Sequence, residues 1–230
     1  MPQPLLVFDL DGTLAETAGD LVAALNHVMA LEDAPLVEVG AARVLLGAGG
    51  RALIQRGLAA AGRAVAPARL ELLFAEFLRH YNANIAVHTH LYAGVAAALD
   101  RFQSAGWRFA VCTNKMELSS VTLLRALGAE KRFAAICGQD TFAVCKPDPE
   151  ALRQTIVKAG GALSGAVMVG DSETDIRTAQ AAGVPCVAVD FGYTDKHVST
   201  FGPDRVISHF DELWGAVAGL QSLDLKRRAP

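Results

Sequence analysis

The sequence predicts an α/β protein, a doubly wound parallel sheet with a helical block inserted after its first strand. Three observations lead there. Short apolar runs alternate with helix-period segments over most of the chain, the pattern of repeated strand–helix–strand units. Several of these runs are apolar without alternation, as strands buried on both faces must be. One stretch, from about residue 16 to residue 87, breaks the rhythm with helix-period patterns and no strand signal.

The first strand is expected over residues 5–10, Leu5-Leu6-Val7-Phe8-Asp9-Leu10. Within the helical block, Leu21, Leu25, Val28 and Leu31 form one apolar stripe. A Gly-rich loop, Gly47-Ala48-Gly49-Gly50-Arg51, leads into Leu53, Ile54 and Leu58. Pro67 opens a further helix in which Leu70, Leu73, Phe74, Phe77, Leu78 and Tyr81 keep the helical period. The chain should cross out of the sheet near residues 14–16 and return near 88–94, which predicts a core of residues 1–15 and 90–230 and an inserted domain of residues 16–89. Further strands are expected at 107–113, 133–138, 166–170, 186–190 and 205–208. Helices are expected at 118–127, stopped by Gly128, at 150–159, stopped by Gly160-Gly161, and at 175–182, stopped by Gly183 with Pro185 beyond. No internal repeat or low-complexity segment is present.

With 230 residues, 52% of them hydrophobic, the chain is long enough to bury a sizeable core. Net charge is −3 with a pI near 6.1, and the one basic block is Lys226-Arg227-Arg228, expected to be a solvated terminus. That balance argues against a nucleic-acid partner, because phosphate contacts demand clustered Lys and Arg. No apolar run is long enough to cross a bilayer and the N-terminus shows no leader pattern, so a cytoplasmic location is expected and no membrane partner. Cys112, Cys137, Cys145 and Cys186 have no CxxC or metal-ligand spacing, and the three in or beside apolar runs read as buried thiols. His88 and His90 lie at the second crossing without a third metal-ligating partner, and Phe102, Trp107 and Phe109 read as core.

Chemistry concentrates at the strand ends. Asp9-Leu10-Asp11-Gly12-Thr13-Leu14 follows the first apolar run directly, and ligand sites of doubly wound sheets lie at the carboxyl ends of strands. A strand followed by an Asp/Gly turn is ordinary, yet Asp-x-Asp-Gly-Thr should arise by chance only about once in several hundred chains of this length. Gly170-Asp171-Ser172-Glu173-Thr174-Asp175 follows another apolar run, Val167-Met168-Val169. Alone it reads equally as a helix N-terminus with acids favoured by the dipole. Taken with the first motif, four acids converge on one edge, and they repel each other unless a hard cation sits among them. Oxygen ligands of this kind suit magnesium. Thr113-Asn114-Lys115 and Lys146-Pro147 are weaker signals, since a loop lysine is ordinarily solvated; their place in the chain order raises them.

That order, Asp9-x-Asp11-Gly12-Thr13, Thr113-Asn114, Lys146-Pro147 and Gly170-Asp171 with Asp175, resembles the haloacid dehalogenase superfamily of phosphohydrolases over nearly the whole chain. Thr113-Asn114-Lys115, Lys146-Pro147-Asp148-Pro149, Val169-Gly170-Asp171-Ser172 and Phe191-Gly192-Tyr193 make it more similar to the phosphoglycolate phosphatase branch. The resemblance implies a Rossmann-like core carrying a helical cap. It also implies a Mg2+-dependent phosphatase acting on a small phosphorylated metabolite, with 2-phosphoglycolate the leading substrate.

The same resemblance assigns roles. Asp9 becomes the nucleophile that carries the phosphoryl group, and Asp11 the acid and base. Asp9, Asp171 and the Asp11 backbone carbonyl hold the metal. Thr113 and Lys146 contact the phosphoryl group, helped by backbone N–H groups around Gly12 and Asn114. Asp175 supports the others by holding Lys146 or metal-bound water. Arg51, in the cap loop, is a candidate partner for a substrate carboxylate. Dehalogenases of the superfamily lack the aspartate at the position of Asp11 and ion-pumping relatives carry Thr there, so Asp11 favours phosphate transfer with turnover. Glu16, Gly19 and Ala93 depart from residues common among relatives at the two crossings. Other readings remain: a β-phosphoglucomutase-like phosphosugar mutase, a pyrophosphatase or nucleotidase, or a non-catalytic binding protein on the same scaffold. Oligomeric state is not legible.

Overall fold

A computed structural model describes residues 3–47 and 49–227, and side chains throughout that range except those of Val44 and residues 221–227. Ala48 of the Gly-rich loop and Arg228 of the basic tail fall outside the described residues. In chain order the elements are β1 (Leu5–Phe8), β2 (Ala15–Glu16), α1 (Ala18–Leu31), α2 (Val39–Ala42), α3 (Gly50–Ala60), α4 (Pro67–Ala83), β3 (His90–Leu91), α5 (Val95–Ser104) and β4 (Arg108–Cys112). There follow α6 (Glu117–Ala126), β5 (Ala135–Cys137), α7 (Pro149–Lys158), β6 (Ala166–Gly170), α8 (Glu173–Ala182), β7 (Cys186–Val189), β8 (Arg205–Ile207) and α9 (Leu213–Arg227).

The main sheet has six strands, all parallel, in the order β5-β4-β1-β6-β7-β8. Side chains alternate along each strand, and both faces are buried, so the central strands show no polar positions. Leu6 and Phe8 of β1 pack with Leu99, Phe102, Leu123, Leu124 and Val217 on one face. Leu5 and Val7 pack with Ile156 and Ile176 on the other. Helices therefore cover both faces, as the unbroken apolar runs predict. After β1 the chain builds one half of the sheet outward through β4 and β5, then returns to β6 beside β1 and builds the other half. The gap between the ends of β1 and β6 is the switch point where such sheets bind ligands.

Helices α1 to α4 lie between β2 and β3, two short strands that pair antiparallel, Ala15 with Leu91 and Glu16 with His90. Strands of two residues carry no alternation to read, so the sequence shows only that the chain crosses there. Leu21, Leu25 and Val28 of the α1 stripe are buried, but Leu31, at the helix end, is 47% exposed. Leu70, Leu73, Phe74, Phe77 and Tyr81 of α4 are buried against α1 and α3. Cys112, Cys137 and Cys186 are buried free thiols, and Cys145 is exposed. Among the described residues no helix is long and apolar enough to cross a membrane.

Candidate active site

Asp9 follows β1 directly, and its backbone N–H donates to the Val169 carbonyl of β6 at 2.9 Å. This bond extends the parallel register past Phe8 and sets Asp9 level with the end of β6, where Asp171 follows Gly170. Thr113 is fixed on the other side by its N–H to the Cys137 carbonyl, 3.0 Å. Gly12 turns the chain back with φ +83°, and a Cβ there would stand 2.5 Å from Asp171 Oδ2. Only a glycine lets the Asp9–Leu14 turn approach Asp171 this closely.

Asp171 is held at both oxygens: Thr13 Oγ1 donates to Oδ1 at 2.7 Å and the Tyr193 N–H to Oδ2 at 2.6 Å. Asp175 is engaged differently. It closes the N-terminus of α8 in a reciprocal box with Ser172, whose Oγ donates to Oδ2 at 2.6 Å. Its Oδ1 accepts from Lys146 Nζ, also at 2.6 Å. Lys146 Nζ also stands 2.9 Å from Asp9 Oδ1, and this ion pair is the only partner of that buried oxygen among the described residues.

Asp9, Asp171 and Asp175 each offer an oxygen within 4.8 Å of the others. Burial, then the neighbouring carboxylates, raises the proton affinity of two of them. Asp9 is pushed up to about 6, with Lys146 opposing and Asp175 and Asp11 adding. Asp171 is driven well above the usual carboxylate range, by burial first and by Asp175 and Asp9 next. Buried acids packed this closely fit a hard divalent cation. Within this cluster Asp175 is hydrogen-bonded by the Lys146 ammonium, whereas Asp171 is held only by the neutral donors of Thr13 and Tyr193, which leaves its charge with Asp9's for a cation.

Asp11 lies apart from this cluster. Its carboxylate takes two bonds from Lys115 Nζ, 2.9 and 3.0 Å. Lys115 is buried, with its ammonium 4.3 Å from the centre of the Tyr81 ring. Unlike an ordinary loop lysine, Lys115 and Lys146 are 8% and 4% exposed, and each is buried because an acid meets it. Asn114 Nδ2 donates to the Lys146 carbonyl at 3.0 Å, tying the two loops together. Asp9, Asp11, Thr113, Asn114 and Lys115 form the floor of one cleft, roofed by α1, α3, α4 and the Gly47–Gly50 loop.

Arg51 is not among the residues lining that cleft. Its guanidinium makes two bonds to Glu71, both 2.8 Å, and lies 3.9 Å from the centre of the Phe74 ring. Sequence reading missed the roles of Thr13, Tyr81, Lys115 and Tyr193. It also missed a half-buried junction at the crossings, where Glu16 accepts from Tyr193 Oη (2.6 Å), Arg43 (2.7 Å) and Tyr92 Oη (3.0 Å). Tyr193 Oη in turn accepts from the N–H groups of Thr17 and Ala18, at 2.6 and 2.8 Å. One residue, Tyr193, thereby joins Asp171 to the start of α1.

Comparison with known proteins gives a consistent picture. Residues 6–189 match the family model described as haloacid dehalogenase-like hydrolase. The chain is 52% identical over 213 residues to a phosphoglycolate phosphatase of Mesorhizobium japonicum, covering 93% of this chain and 94% of the relative. It is 42% identical to that of Agrobacterium fabrum, covering 93% and 92%. Among solved structures, a predicted phosphoglycolate phosphatase from Haemophilus somnus 129PT aligns with TM-score 0.87 at 25% identity, over 94% of this chain and 98% of that one. CbbY from Rhodobacter sphaeroides in complex with phosphate aligns with TM-score 0.78 at 29% identity, over 92% and 96%.

Proposed function

This chain belongs to the haloacid dehalogenase-like hydrolases as a phosphoric monoester hydrolase, and we propose that it hydrolyses a small phosphomonoester, 2-phosphoglycolate, through a phosphorylated Asp9 with Mg2+ as cofactor. One observation supports the mechanism above the others: Asp9 is buried at the strand end, and its Oδ1 meets the Lys146 ammonium and no structural donor. A carboxylate spent on structural bonds would be a poor nucleophile; this one is oriented and unspent. The substrate assignment draws on the relatives named phosphoglycolate phosphatase.

Asp9 attacks phosphorus, and the ester P–O bond breaks as Asp11 gives its proton to the leaving oxygen. Asp11 then takes a proton from water, which attacks the phosphorus of phospho-Asp9 and releases inorganic phosphate. Thr113 donates to a phosphoryl oxygen, and N–H groups near Gly12 and Asn114 complete the cradle. Lys146, fixed by Asp175, keeps one positive charge against Asp9 throughout. Asp9, Asp171 and the Asp11 carbonyl would hold Mg2+, which would supply the charge neutralisation that lets a carboxylate approach a phosphate dianion. Helices α1, α3 and α4 act as a cap that excludes bulk water from phospho-Asp9. A sugar mutase would need polar partners for hydroxyl groups, whereas this roof is apolar at Leu21, Leu46, Leu53, Phe74 and Phe77.

The test is phosphate release from a panel of monoesters with Mg2+, comparing the native chain with Asp9→Asn. Loss of turnover by more than about 10³-fold in the variant, and on EDTA treatment, is the expected result. Equal turnover by Asp9→Asn would sink the mechanism.

A further inference from the structure

We infer that Lys115 and the Tyr81 hydroxyl form the subsite for a carboxylate on the leaving group, which makes them the specificity-determining pair of this enzyme. The inference rests on the proposed phosphatase reading and deepens it.

Four features carry it. First, Asp11 must touch the ester oxygen to protonate it, so a group bonded to Asp11 stands beside the first carbons of the leaving group. Lys115 Nζ is that group, 2.9 Å from Asp11 Oδ1. Second, Lys115 is the one positively charged side chain among the described residues lining the cleft. Lys146 lies beneath the floor, and Arg51 is turned to Glu71. An ammonium has three donors, and the two bonds to Asp11 leave one for a ligand.

Third, Tyr81 lines the same cleft, is 1% exposed, and its hydroxyl has no hydrogen-bond partner. A buried hydroxyl left unpaired is costly and calls for a partner that the ligand brings. Its ring is set by stacking on Phe77, centroids 6.1 Å apart, and by Lys115 on its face. Burial pushes Tyr81 up to about 12, so it stays a neutral donor. Fourth, the roof is apolar at Leu21, Leu46, Leu53, Phe74 and Phe77, and although Ser119 and Gln139 also line the cleft, Lys115 is its one cationic place among the described residues for a second anionic group. Together these select a short hydroxy acid phosphate, whose carboxylate lies next to the ester carbon, over an alkyl phosphate or a sugar phosphate.

The experiment compares kcat/KM for 2-phosphoglycolate, 2-phospholactate and ethyl phosphate in the native chain, Lys115→Met and Tyr81→Phe, with p-nitrophenyl phosphate as a leaving group that needs no proton. Folding of each variant is checked by circular dichroism and thermal melting. The ratio of phosphoglycolate to ethyl phosphate should fall about 10- to 100-fold in Lys115→Met, the range for one charge-assisted hydrogen bond, and several-fold in Tyr81→Phe. The fall should sit mainly in KM. An unchanged ratio, with both esters slowed equally, would overturn the inference and leave Lys115 a support for Asp11 alone. If the native chain ignores phosphoglycolate yet prefers phospholactate over ethyl phosphate, and the variants erase that preference, the named substrate falls and the subsite stands. A native chain with no preference for a carboxylate would overturn both.

Discussion

Lys146→Met removes the ammonium that stands between two buried carboxylates. Nζ lies 2.6 Å from Asp175 and 2.9 Å from Asp9, and the side chain is 2% exposed. Burial alone would lower the lysine's pKa, yet Asp175 and Asp9 together raise it, so the three groups form one charge system. Breaking a buried ion pair by deleting one partner costs about 3–5 kcal/mol, against about 5–15 kcal/mol for a whole domain. Urea unfolding should therefore show a loss of that size near neutral pH. The sign with pH follows from Asp9, already pushed up to about 6. Without the lysine its proton affinity rises further, so the folded variant binds protons that the unfolded chain does not. Its stability falls as pH rises through that raised value, and the deficit is smallest in acid. Adding Asp175→Asn should return about 2 kcal/mol, because the amide oxygen keeps the Ser172 bonds while the orphaned charge disappears. A cost below about 1 kcal/mol for Lys146→Met, or strict additivity in the double variant, would refute the view that these charges hold one another.

Three more expectations concern the surroundings of Asp171 and Asp9. Below about 6 a proton occupies Asp9 and must leave before a cation binds, so saturating Mg2+ should raise Tm more at about pH 8 than at about pH 5, and equal shifts would contradict this. Gly12→Ala drives a Cβ to 2.5 Å from Asp171 Oδ2 at a φ of +83°. Calorimetric titration should find Mg2+ affinity weakened about 10- to 100-fold, and native affinity would show the turn has room to spare. Tyr193→Phe removes a donor to Glu16 and leaves the Thr17 N–H without its acceptor, which thermal or urea unfolding should register as a loss of about 1–3 kcal/mol.

The strands were legible because burial on both faces leaves no ambiguity of period: Val7, Met168 and Ala188 face one cluster while Phe8, Val169 and Val189 face the other. Acids at the strand ends were legible for a related reason, since four carboxylates gain nothing from packing and need a ligand to explain them. What escaped notice is long-range and pairwise. Tyr193 meets Asp171 through its backbone N–H, which no residue type announces. Lys115 looks like any loop lysine until Asp11, 104 positions away, is brought to it. Tyr81 belongs to the same apolar stripe as Phe74 and Phe77, and only the position of its hydroxyl sets it apart. The Gly-containing segment 213–220 of α9 carries a weak apolar stripe, and packing on the sheet fixes it instead, whereas α5 carries a readable one in Val95, Leu99 and Phe102.

Charge counting explains why the site is arranged in two halves. Asp9, Asp11, Asp171 and Asp175 bring four carboxylates to the strand ends, and Lys115 and Lys146 bring two ammonium groups. Hydrogen bonds assign the ammonium groups to Asp11 and Asp175. The two acids left over, Asp9 and Asp171, are the two whose proton affinity burial and neighbours raise. Protons and a divalent cation therefore compete for one place, and the cation neutralises both charges at once where two protons would be needed. Asp11, already answered by Lys115, lies apart from that pair. Lys115, the more buried partner of that ion pair at 6% against 17% side-chain exposure, owes its place in the cleft floor to Asp11, so one ion pair fixes the position of both groups.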